Sequence, residues 1–229
     1  MKPILFSGEM VKAMLEGRKT QTRRIVKPQP ERVNDAFDGT WDWKGHLYDD
    51  LTLAMILKDN CPYGQVGDRL WVRETHYRFG RWFRDGFTKS GKQAWRFVAG
   101  NSEVRYMDSP PDKVLPNSRR MERGWFKRVS IHMPRSASRI TLEITGVKVE
   151  RVQEITEDDA IAEGVQYGTT NGYAKFRALS GGEATPETWP TPQEAFSRLW
   201  DSINAKRGYG WDADPWVWRI EFSEPASVT

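Results

Sequence analysis

Residues 15–24, LEGRKTQTRR, set four cations, Arg18, Lys19, Arg23 and Arg24, around two hydroxyls, Thr20 and Thr22. Cations this dense suit an anionic ligand, and a hydroxyl among them becomes a nucleophile once a neighbouring base takes its proton. A lysine serves as that base when burial and other cations lower its pKa. The same composition also describes a solvated basic turn. Two readings therefore stand at the outset: a turn, or one wall of a site.

The chain of 229 residues carries a formal net charge of +4, which conceals a strong asymmetry. Residues 77–139 hold 15 Lys and Arg against 5 Asp and Glu, whereas residues 140–229 hold 8 against 15. The basic block also carries ten aromatics, among them Trp82, Phe83, Trp95, Phe97, Trp125 and Phe126. Cations neutralise phosphates and flat rings stack on unpaired bases at about 1–3 kcal/mol each, so this is the composition of a nucleic-acid surface. A solvated hairpin with a small aromatic core of its own has the same composition.

The length suffices for one domain with an insertion, and 12% aromatics argue against disorder. No run approaches the roughly 18 apolar residues of a membrane span. The opening MKPILFSGEM is too short an apolar run for a secretory signal, so a cytoplasmic location is expected. Cys61 alone makes no intramolecular disulfide and suits a reducing compartment. With one cysteine and three scattered histidines (His46, His76 and His132) no metal-ligand spacing is present, and neither metal nor cofactor is expected.

The elements that must position these residues are mostly short. SGEMVKAMLEG reads as a helix with Ser7 as N-cap, Gly17 beyond its end, and Met10, Val11, Met14 and Leu15 on one face. QTRRIV then runs extended, and KPQPE breaks structure. TWDWKGHLYDD suggests a hairpin about Lys44-Gly45. In the strand Leu70 to Thr75, Leu70, Val72 and Glu74 share a face. Residues 77–128 read as irregular, an insertion between core strands. SRITLEITGVKVERVQEI is the clearest strand, interrupted at Gly146. TEDDAIAEGV is a helical turn capped by Thr156, and a Gly/Thr/Pro-rich loop follows over about 167–192. A helix begins at Pro192 with Ala195, Leu199, Trp200 and Ile203 inward, and DPWVWRIEF closes as a strand with Trp216 and Trp218 in the core. Strands dominate over about three helices, predicting an α+β fold built on a small mixed barrel.

Gly17-Arg18-Lys19-Thr20-Gln21-Thr22-Arg23-Arg24 resembles the G-x-K-x-x-T-x-R signature of the ASCH domain, a member of the PUA-like superfamily. GDRLWVRET, HMPRSASRITLEIT, EITEDDAIAEGV and DPWVWRIEF agree with it in order and type, in the version found in phage and prophage genomes. The resemblance covers both ends and most of the core, leaving about 77–128 unmatched. It implies a single PUA-like domain: a β-barrel of five or six strands, a helix-rimmed cleft, and RNA or nucleoside as ligand. Small ASCH proteins include amidohydrolases that deacetylate N4-acetylcytidine with a lysine, a threonine and a glutamate. By motif these fall on Lys19, Thr22 and Glu163, with Glu163 donating a proton to the leaving amine or holding the base.

Each residue also has a structural role open to it. Lys19 can cap a helix end, Thr22 can satisfy a neighbouring backbone group, and Glu163 can pair with Lys19 or Arg24. As ligand contacts the sequence offers Arg18, Arg23 and Arg24 in the first stretch and Arg73 with Glu74 on one strand. Arg135 and Arg139 flank two serines, and Trp125 offers a stacking ring. Three functions remain in view: amide hydrolysis of an acylated cytosine, recognition of RNA or a modified base without turnover, and RNA cleavage.

Overall fold

A computed structural model of the protein describes residues 1–33, 39–170, 173–177 and 188–223. In chain order these form β1 (Lys2–Leu5), α1 (Gly8–Leu15), β2 (Gln21–Ile25), β3 (Glu31–Arg32), β4 (Trp41–Trp43) and β5 (His46–Tyr48). Next come α2 (Asp50–Asp59), β6 (Arg69–Arg73), β7 (His76–Phe87), β8 (Gln93–Tyr106), β9 (Gly124–Arg128) and β10 (Thr141–Arg151). The last are α3 (Glu157–Ala162), β11 (Gln166–Thr170), β12 (Tyr173–Arg177), α4 (Pro192–Asn204) and β13 (Trp216–Phe222). The fold is mixed α+β and rich in strands, as the sequence predicts. Its sheets run β1-β6-β10-β13-β2, β3-β4-β5, β8-β7-β9 and β11-β12. The chain divides into two compact units, one of Met1–Pro3, Glu9–Trp71 and Ile140–Thr229, the other of Ile4–Gly8 and Val72–Arg139.

In the first unit β10 pairs antiparallel with both β6 and β13. The glycine interruption becomes a register shift between Ile144 and Gly146, where an added Cβ would come 2.4 Å from the Glu221 carboxylate. The predicted cap at Thr156 forms, accepting from the Asp159 amide at 3.1 Å, and Thr191, which the sequence does not single out, caps α4 by accepting from the Glu194 amide at 3.2 Å. Helix α4 buries Ala195, Phe196 and Trp200 against Val152, Ile155, Ala160, Val165 and Val217. Leu15 and Ile203, expected inward, are exposed at the ends of α1 and α4. Lys44 and Gly45 both take positive φ, the geometry of a type I′ turn joining β4 to β5.

The helix α2 is the element that the sequence hides. Asp49 caps it through the Thr52 amide at 2.7 Å, and Leu53 and Leu57 are buried, but LTLAMIL is apolar at almost every position and shows no one-sided period. The stretch read as a loop over 167–192 contains the β11-β12 hairpin instead, and its residues 171–172 and 178–187 lie outside the described residues. Trp218 is buried with its Nε1 donating to the Leu57 carbonyl at 2.8 Å. Trp216 is only half-buried, edge-on to Trp41 at 5.6 Å.

The second unit corrects the reading of 77–128 as irregular. Strands β7 and β8, 12 and 14 residues long, form an extended hairpin with two register shifts, and β9 pairs with the other side of β7. Frequent charges erase the apolar alternation by which strands of this length are usually read. Gly80 lies between the strands, where an added Cβ would come 2.2 Å from the Val98 carbonyl oxygen. Because that atom belongs to a paired backbone, Gly80→Ala should destabilise the unit by about 1–3 kcal/mol. Faster limited proteolysis within 77–128, alongside a lower denaturation midpoint, would be the readout, and unchanged cleavage would refute it.

Candidate functional site

The site is built around β2 in the first unit. Helix α1 ends where Gly17 takes φ 69°, and the amides of Arg18 and Lys19 both donate to the Ala13 carbonyl at 2.9 and 3.1 Å. The Thr20 amide then donates to the Ala162 carbonyl at 2.9 Å, which holds this turn against the last residues of α3. Glu163 caps that end of α3. Two segments 144 residues apart are thereby joined by their backbones before any side chain is considered.

Lys19 is 2% exposed. Its Nζ donates to Glu163 Oε2 at 2.7 Å, to the Glu163 carbonyl at 2.8 Å and to the Gln21 carbonyl at 2.9 Å. An ammonium has three protons, and these three acceptors take them. Burial pushes the Lys19 pKa down, the Glu163 carboxylate pulls it back up, and Arg24 and Arg23 push it down again; the net direction is downward.

Arg23 pairs directly opposite Arg219 across β2 and β13, an arrangement that repels unless anions intervene. Two carboxylates do so, and a third supports Arg23 alone. Glu150 Oε1 accepts from Arg23 Nε and Nη2 at 2.9 and 2.6 Å, and Asp159 Oδ2 accepts from Arg23 at 2.9 Å and from Arg219 at 3.2 Å. Glu163 Oε1 receives Arg23 Nη1 at 3.4 Å. Burial raises the Asp159 pKa, but hydrogen bonding from Gln21 and the charges of Arg23 and Arg219 outweigh it, so the carboxyl lies below its usual range.

Beside this network lies a cavity of about 520 Å³. Thr22, Arg24 and Glu163 line it together with Tyr63, Phe196, Trp200, Asn204 and Trp218. The volume suits a small organic ligand. Trp200 and Trp218 spend their N–H groups on the Tyr209 and Leu57 carbonyls, both at 2.8 Å, and therefore offer the cavity apolar ring surface. Desolvation lowers the Arg24 pKa, opposed by Tyr63 and Glu163. The lining combines a threonine, a glutamate, an arginine and large aromatic residues.

Of the residues that the sequence singles out, Thr22 and Glu163 meet at this cavity, and Lys19 stands behind Glu163, bonded to it. Arg23 and Arg24 also line it, while Arg18 is turned to the surface and bonded to Glu16 at 2.9 Å. The other five candidates belong to the second unit. Arg73 donates to the Ser130 and Ile131 carbonyls. Buried Glu74 holds Arg139 at 2.9 and 3.1 Å, and Arg139 also reaches Asp108 at 2.7 Å and covers the Tyr106 ring. Trp125 packs edge-on to Phe79, and Arg135 is exposed.

Sequence reasoning missed Glu150, Asp159 as a charge partner, Tyr63 and the aromatic walls. Glu150 left no usable sign, because it alternates with Val147 and Val149 in phase with Lys148, as a solvent-facing residue of the strand would. Among the described residues no group of His, Cys, Asp and Glu could hold a metal ion, and no helix is long and apolar enough to cross a membrane. No protein-family model, curated protein or solved structure matches the chain.

Two outcomes follow. Glu163→Gln leaves the Lys19 ammonium buried without its counter-charge and should destabilise by about 3–5 kcal/mol in urea denaturation. The Lys19→Met/Glu163→Leu pair, which removes both charges, should recover much of that loss; no recovery would mean that packing, not charge, sets the cost. Asp159, with its folded pKa depressed, adds stability above its unfolded pKa that disappears as pH falls through the folded value. Asp159→Asn should therefore show a shallower loss of stability below about pH 4 than the parent.

Proposed function

We propose that this protein is of the ASCH type, that its five-stranded sheet is the frame of a PUA-like barrel, and that its cavity binds a cytosine nucleoside and hydrolyses an N4-acyl amide on it. One observation carries the reading: Thr22 and Glu163 line one cavity, with Lys19 Nζ 2.7 Å from the Glu163 carboxylate. The apolar ring walls fit a flat base, and Arg24 fits a polar edge or an oxyanion.

In the reaction Thr22 Oγ1 attacks the acyl carbon while the hydroxyl proton moves to the amine form of Lys19. The C–N bond then breaks, the exocyclic nitrogen takes that proton back, and the acyl group stays on Thr22. Water, deprotonated by the same amine, attacks the acyl carbon, the bond to Thr22 Oγ1 breaks to release the carboxylic acid, and the amine returns its proton to Thr22 Oγ1. Glu163 orients Lys19 throughout and exchanges a proton with it across their hydrogen bond. Burial and the two neighbouring arginines favour the amine form that this step requires.

A second reading has its own support. The three acceptors around Lys19 hold it as an ammonium, which suits a cavity that recognises a nucleoside without turning it over. Incubation with N4-acetylcytidine, with cytidine and acetate read by chromatography, separates the two. Hydrolysis should be abolished in Thr22→Ala, at least about 100-fold, and partly kept in Thr22→Ser, which retains the hydroxyl. Calorimetric binding of the nucleoside to the parent with no product formed would establish recognition alone. Neither binding nor product would overturn both readings.

A further inference from the structure

The three-stranded sheet β8-β7-β9 of the second unit uses its two faces differently. On one, Trp82 meets Phe97 at 5.4 Å and Phe97 meets the buried Phe126 at 6.0 Å. Arg128 lies over both Trp82 and Phe97, and Arg120 lies over Trp95. This face is a closed stack of rings and guanidinium groups. Strand alternation sends Phe79, Arg81 and Phe83 of β7 to the opposite face, and register places Val98 and Arg96 of β8 and Trp125 and Lys127 of β9 beside them.

That opposite face is open. The Arg81 guanidinium lies 4.3 Å from the Phe83 ring centroid. A hollow of about 240 Å³ is lined by Arg81, Phe83, Val98, Arg123 and the glycines Gly80 and Gly100. A Cβ on Gly100 would meet the Phe79 ring at 3.2 Å and the Arg123 guanidinium of the lining at 3.5 Å. Four of the five acids of residues 77–139 are already engaged: Asp85 with Arg96, Glu103 with Arg105, Asp108 with Arg139 and Glu122 with Arg119. Among the described residues Arg81, Arg123 and Lys127 make no ion pair, so the face presents net positive charge around a hollow beside the half-buried Phe83 ring.

We propose that this face binds single-stranded nucleic acid. One base sits in the hollow against Phe83 and Arg81, and phosphates rest on Arg123 and Lys127. The charge is complementary to a phosphate backbone, and the hollow admits a single ring system, which only an unpaired base can present. The surface stands independently of the cavity reading, because no residue of it lines that cavity.

The test is fluorescence anisotropy of the full chain with labelled 15-nucleotide oligouridylate and oligothymidylate, a 15-base-pair duplex, and poly-glutamate as competitor. Both single strands should bind, and more tightly than the duplex. Phe83→Ala should weaken them about 5- to 150-fold with little change in salt dependence, and Phe83→Trp should restore binding. Arg81→Gln/Arg123→Gln should flatten the slope of log K against log salt by about one to two. Thr22→Ala should leave oligonucleotide affinity as it was, and Phe83→Ala should leave nucleoside binding to the cavity as it was. Circular dichroism checks that each variant is folded. The proposal is overturned by the absence of binding at low salt, by a neutral Phe83→Ala, or by duplex bound as tightly as single strand. It is equally overturned by poly-glutamate competing at equal charge, which would indicate an acidic protein partner, or by affinity lost only in Thr22→Ala, which would place the strand in the cavity.

Discussion

The first unit depends on how it neutralises charge in its interior. Lys19 and Arg23 are both buried, and so are Glu150 and Glu163. An unpaired ion in such a place is costly by several kcal/mol, and only near-complete pairing makes the arrangement tolerable. Arg23 and Arg219 face each other across β2 and β13, so the strand pairing itself requires the anions of Glu150, from β10, and Asp159, from α3. The position of α3 against the sheet is thus coupled to charge balance as well as to the apolar contacts of Ala160 and Val165.

This constraint also shapes the cavity. Glu163 divides its two oxygens between Arg23 and Lys19 and still reaches the lining. A carboxylate held at both oxygens has little freedom to rotate, and Lys19 is restrained by three bonds of its own. Thr22, by contrast, is placed by β2 alone, opposite Ile220. Groups held by rigid strands and helix ends stay in position without a ligand's help, which lowers the ordering needed on binding. The same rigidity limits Lys19, because every bond that fixes its position also favours its protonated form.

Arginine and aromatic residues are combined on both faces of the second unit's three-stranded sheet with different results. Where Arg128 covers Trp82 and Phe97, the rings lie against one another and the cation closes the stack. Where Arg81 lies over Phe83, small residues leave the space beside them empty. Composition alone cannot separate these cases, since alternate residues of one strand supply both. Only the register of β7 against β8 and β9 assigns each ring to a closed or an open face.

What the sequence determined by itself was local. The cap at Thr156, the helix start at Pro192, the turn at Lys44-Gly45 and the bulge at Gly146 were legible because each rests on the geometry of a few adjacent residues. The density of cations in 15–24 was equally plain, and resemblance to a known signature linked Lys19 and Thr22 to Glu163. Helix α2 and the long β7-β8 hairpin were not legible, one because its apolar residues face every direction and the other because charges break its alternation. The tertiary structure alone decided that Arg18 points outward while Arg23 is buried among three carboxylates drawn from β10, α3 and the end of α3. A charged side chain is stabilised by whatever lies within a few ångströms in space, and those partners are more than 120 residues away along the chain.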